Sequence, residues 1–155
     1  MGSVFASAVA VAGTLLGVWV SHVLQRRSGQ EREDRARAER RRAELVDACS
    51  GFAEAVMQLR RAQHARWLAR RRAGEQTTPV ETREEAYRLR ATAWHAYFRL
   101  KLLCGDEALL ARATRAVEAA AEMHEARDDA ELRSRGEAAK QLLDEFVTAA
   151  ATLLR

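Results

Sequence analysis

The 155-residue sequence has no isoleucine and no asparagine, and only two of its 26 basic residues, Lys101 and Lys140, are lysines. The missing residues are the ones read from AT-rich codons, which points to a GC-rich genome. One proline and eight glycines supply too few turns for a β-sandwich and exclude a collagen-like repeat. Two cysteines exclude a disulfide scaffold, and 48% apolar residues exclude a wholly disordered chain. What is present instead is alanine at 32 positions and arginine at 24. Alanine is the strongest helix former and arginine is close behind it, so the class left is all-α. The length corresponds to about one domain.

Charge is absent from one end and concentrated next to it. No side chain from Met1 to Gln25 carries a formal charge, whereas residues 26–42 hold eight arginines against Glu31, Glu33, Asp34 and Glu39. Removing that segment from the totals leaves 18 basic and 18 acidic residues, so the whole net charge of +4 lies in this basic collar.

Residues 4–24 form an apolar run interrupted only by Ser7, Thr14, Ser21 and His22. As a helix the run is about 30 Å long, the thickness of a bilayer's hydrocarbon core. A secretory signal has basic residues ahead of its apolar stretch, and here they follow it. The reading is a transmembrane anchor, 1–27, in a single-pass protein of the cell membrane. The collar holds the C-terminal side in the cytoplasm and leaves the N-terminus outside. A buried helix within an assembly is the alternative. Gly13 and Gly17, extended by Ser21, make a row of small residues along which two membrane helices can associate closely.

Ser28 and Gly29 then precede a run, residues 30–44, whose only apolar side chains are alanines. The pairs Glu31/Arg35 and Glu33/Arg37 are four apart in the favourable order. Residues 28–44 therefore read as a solvated helical stalk. From Leu45 the pattern changes to Leu45, Cys49, Phe52, Val56 and Leu59, the stripe of a core-facing helix, continued by Trp67 and Leu68. Arg70, Arg71, Arg72 and Gly74 close it. Thr78, Pro79 and Glu81 spell a capped start for the next helix, which carries Tyr87, Ala91, Trp94, Phe98 and Leu102 on one stripe and Leu89, Ala93, Leu100 and Leu103 beside it. The first stripe makes Trp94 and Phe98 the expected core of that helix. Asp106 caps a third helix through Leu109, Leu110, Ala113, Val117, Ala120 and Met123. Asp128 or Asp129 caps a fourth through Leu132, Ala139, Leu142, Leu143, Phe146, Val147, Leu153 and Leu154, which Gly136 weakens near its start. Short connections make neighbours antiparallel, so residues 45–155 are expected to be a cytoplasmic, antiparallel four-helix bundle.

Catalytic patterns are missing. His22, His64, His95 and His124 fall on separate segments and none has a partner at metal-ligand spacing. Glu84/Glu85 and Asp128/Asp129 are adjacent acids, which do not share a helix face. With no phosphate-cradling loop and no nucleophile motif, the expectation is a non-enzyme with no cofactor and no small-molecule substrate. Cys49 and Cys104 come to similar height on neighbouring helices and read as two small buried thiols; a disulfide between them would contradict a cytoplasmic C-terminal domain.

Arg60, Arg61, Arg66, Arg70, Arg71 and Arg72, with His64 and Trp67 among them, could contact a phosphate backbone, although no base-reading motif accompanies them. A solubilising face is the favoured reading. The collar suits anionic lipid headgroups, at about 1 kcal/mol per basic residue.

The order of segments resembles a known family. An apolar span around GTLLG (13–17), then Gln25, Arg26 and Arg27, a charged helix opening ERRRAEL (39–45) and a late EAAKQLLDEF (137–146) are similar to the small KilB-like proteins of Streptomyces and its plasmids. The resemblance implies a membrane-associated accessory protein, connected in the plasmid case with the spread of DNA through the mycelium. It carries no catalytic motif. Two functions follow as expectations: a membrane-anchored helical interaction or scaffold module that docks a protein partner or a second copy, and, as the alternative, a membrane tether for nucleic acid through the distal arginines.

Overall fold

The computed structural model describes residues 33–73 and 79–155 in full and residues 2–32 as backbone. The apolar run 4–24, the Gly13, Gly17 and Ser21 row, the collar up to Arg32, and the connection 74–78 with its Thr78 cap lie outside the fully described residues. Among the described residues four α-helices follow one another: α1 (Gly2–Ala73), α2 (Val80–Leu103), α3 (Glu107–Ala121) and α4 (Asp129–Leu153), with a 3₁₀ turn at Glu122–Glu125 between the last two. No strand occurs among the described residues, so the chain is all-α. Among them no helix is long and apolar enough to cross a membrane.

The chain divides into two compact units, Met1–Arg41 and Arg42–Arg155. In the first, the predicted pairing of Glu33 with Arg37 is present at 3.2 Å, joined by Asp34 at 3.3 Å. All three side chains are exposed, so these pairs contribute a few tenths of a kcal/mol at most.

In the second unit the pairings show how the helices run. Asp47, early in its part of α1, meets Arg99 late in α2 at 2.7 Å, while Arg66 stacks 5.4 Å above the Tyr87 ring near the start of α2. These helices are therefore antiparallel. The Phe52 and Phe146 rings meet edge to face at 4.8 Å, and the Trp67 indole N–H donates to the Ala126 carbonyl at 2.6 Å, just ahead of α4. The same segment of α1 is thus antiparallel to α4 as well, which closes an up-down-up-down bundle.

Local chemistry sets the boundaries. Asp106 accepts from the Leu109 N–H and Asp128 from the Glu131 N–H, each at 2.8 Å, so each caps the helix that follows it. Glu131 reaches back to accept the Arg127 N–H at 2.9 Å and also binds Arg135. The Arg127 N–H, followed by Arg135, holds its carboxyl below the usual glutamate value. The predicted third-helix stripe is buried throughout, although its last member, Met123, lies in the 3₁₀ turn. The stripe Cys49, Phe52, Val56 and Leu59 is also buried, and Leu45 is partly so.

The second helix corrects the sequence reading. Its buried face is Ala86, Leu89, Ala93, Tyr97 and Leu100, and not Tyr87, Trp94, Phe98 and Leu102. Phe98 is 55% exposed and Leu102 87% exposed, whereas Ala86 and Ala93 are fully buried. The cause is helix spacing: axes approach closely only where small side chains lie between them. Leu103, on the secondary stripe, is exposed too, and in α4 so are Val147 and Leu153, which were expected in the core.

Candidate functional site

The exposed side of α2 is the most distinctive surface of the Arg42–Arg155 unit. At 100° per residue Tyr87, Trp94, Phe98 and Leu102 fall within about 80° of each other, on the side opposite the core stripe. Trp94 is half-buried against the core, and Phe98, itself open to solvent, is braced by it at 6.1 Å and by the buried Tyr97 ring at 5.5 Å. Isolated exposed apolar residues are ordinary; a row of aromatics along one helix marks a contact surface.

Beyond its first two turns the charge on that helix is of one sign. From Ala86 to Gly105 there is no acid, while Arg88, Arg90, Arg99 and Lys101 flank the row. Arg88 is bound by Glu85 and Arg99 by Asp47, each at 2.7 Å. Arg90 and Lys101 take part in no ion pair among the described residues. The result is an apolar strip with one uncompensated positive edge, that of Arg90 and Lys101.

The six distal arginines do not form one patch. Arg66 is on the Tyr87 ring. Arg70 joins Trp67 on the Ala126 carbonyl at 3.1 Å, and Arg71 lies 5.3 Å over the Trp67 ring and 3.9 Å from Asp129, so both help close one end of the bundle. Arg72 is exposed. Arg60 and Arg61 line a cavity together with Arg133 and Glu137 of α4. Neither α4 residue stood out in the sequence; the available signal was Gly136 between them, whose place in a helix demanded a reason.

Other reactive groups are quenched. Cys49 and Cys104 are buried, free thiols, and burial, followed by proximity to Cys104, pushes the Cys49 thiol up to about 11. Burial lowers the His124 pKa; the Ala121 carbonyl 2.8 Å away opposes this, while Arg66 and Arg70 add to it. Gln63 is buried, with its Oε1 left without a hydrogen-bond partner. Among the described residues no group of three His, Cys, Asp or Glu side chains could hold a metal ion.

The model of the KilB plasmid transfer protein family matches residues 46–154. Of the segments that carried the resemblance, EAAKQLLDEF lies inside this match, and GTLLG and ERRRAEL lie ahead of it. No curated protein and no solved structure matches the chain. The chain belongs to the KilB plasmid transfer protein family.

Proposed function

We propose that this KilB-family protein is a non-catalytic, membrane-anchored adaptor for plasmid transfer, tethered through residues 4–24 with its bundle in the cytoplasm. In this reading the outer face of α2 docks a protein partner whose own apolar strip is edged by acids. The exposed side chains Tyr87, Phe98 and Leu102 carry the reading, because a bundle that needed them for stability would have buried them; Trp94, half-buried, anchors the row to the core. Arg90 and Lys101 select the partner's charge: a second copy laid on the same face would set like charges against each other, whereas carboxylates would complement them. Self-association belongs instead to the Gly13, Gly17 and Ser21 row within the membrane, and anionic headgroups to the collar.

The test is plasmid spread in cells that depend on this chain. Phe98→Ser with Leu102→Ser is expected to abolish spread while protein level and membrane fraction stay at the parent's values. Arg90→Glu with Lys101→Glu is expected to do the same. Normal spread in the first variant overturns the docking face, and normal spread in the second overturns the acidic partner. For the anchor, a cysteine placed at Ser3 is expected to react with an impermeant thiol reagent on intact cells and one at Thr77 to stay unlabelled; the reverse pattern refutes the orientation.

A further inference from the structure

We infer that the cavity between α1, the 3₁₀ turn and α4 binds a phosphomonoester attached to an apolar body. Its volume is about 440 Å³, within the range of small-molecule sites. The argument begins with charge. Arg60, Arg61 and Arg133 line it, from two helices, and none of the three is in an ion pair among the described residues. Arg60 donates only weakly, from a guanidinium nitrogen to the Met57 sulfur at 3.5 Å. The single acid of the lining, Glu137, is likewise unpaired. Three guanidiniums and one carboxylate leave two positive charges, the complement of a phosphomonoester dianion. Planar guanidinium forks match phosphate oxygens two at a time, and His64 at the rim offers a further ring nitrogen.

The remaining lining describes the other end of the ligand. Met123 and Leu132 are buried and supply carbon to the cavity, and Gly136 supplies no side chain at all. Glycine inside a helix is unfavourable by about 1 kcal/mol, so its presence in α4 calls for a local use. A Cβ built there would stand 3.4 Å from the Met123 methyl, which shows how near the floor lies. Beyond that methyl-sized step, a larger side chain would fill the cavity from below. A ligand that reaches this floor is concave-bound and carries an aliphatic or aromatic group, which a duplex backbone does not present. The Met123 side chain, unbranched and adaptable, can adjust to it.

The probe is phenyl phosphate, titrated calorimetrically into the full-length chain reconstituted in phosphatidylcholine vesicles, with inorganic phosphate as the control lacking an apolar body. Phenyl phosphate is expected to bind at least about tenfold more tightly than inorganic phosphate. Arg61→Gln with Arg133→Gln, both exposed and therefore safe for folding, is expected to weaken phenyl phosphate by about tenfold or more. Glu137→Gln is expected to strengthen it, which a merely structural disturbance would not do. Equal affinity for the two probes, an unchanged affinity in the double arginine variant, or a weaker one in Glu137→Gln would each overturn the inference. The same isotherm in vesicles that also contain phosphatidate distinguishes the source: suppression identifies a lipid headgroup, and an unchanged isotherm identifies a soluble ester.

Discussion

Helices α2 and α3 are neighbours in the same alanine-rich bundle, yet they use apolar residues in opposite ways. In α3 the bulky stripe, Leu109, Leu110 and Val117, is also the buried one, and alanines fill the space between. In α2 Ala86, Ala93, Leu89 and Leu100 turn inward with Tyr97, while Tyr87, Phe98 and Leu102 are left outside and Trp94 sits half-buried at the edge. Bulk alone therefore does not decide orientation. Where a helix carries two apolar faces, the neighbours accept the face whose volume fits their spacing, and the other becomes surface.

The largest test of that contrast sets one phenylalanine against another. Phe52 is fully buried and edge-packed on Phe146, so Phe52→Ala is expected to destabilise the chain by about 3–5 kcal/mol through lost transfer energy and an unfilled cavity. Thermal unfolding by circular dichroism would show a transition far below the parent's. A transition within a few degrees of it would mean that the core is centred elsewhere.

Those two helices also mark how much of the molecule was legible. The caps Asp106 and Asp128 and the stripes of α1 and α3 were readable because each depends on residues within a turn or two of itself. The orientation of α2 was not, because both of its faces satisfy helical periodicity and the choice between them is made by α1 and α3. The cavity was out of reach for a similar reason. Arg61 and Arg133 are 72 positions apart and come together only when α1 pairs with α4. Gly136 was visible, but as a weakness in its helix and not as the floor of a site.

A smaller effect tests the inner face of α2 directly. Ala93 is fully buried on the inner face of α2, so Ala93→Leu inserts three carbons into a packed core and is expected to cost about 1–3 kcal/mol. On a helix oriented by its aromatics, the same substitution would enlarge a side face and be neutral or stabilising. Chemical denaturation reads the difference: a lower midpoint at unchanged slope is expected, and a raised midpoint would return Trp94 and Phe98 to the core.

The smallest change in stability is expected from the residue that the sequence placed at the centre of the second helix. Phe98 is more than half exposed, and its neighbours are the Trp94 and Tyr97 rings of its own helix. Phe98→Ala gives up part of those ring contacts and leaves no cavity, so the loss is expected to stay below about 1 kcal/mol, against the 3–5 of a buried ring. The chain would melt close to the parent while plasmid spread falls, a separation of stability from function that a core residue cannot produce. A melting transition as low as that of Phe52→Ala would remove the distinction between the two faces of α2, and with it the argument that the outer one is free to bind.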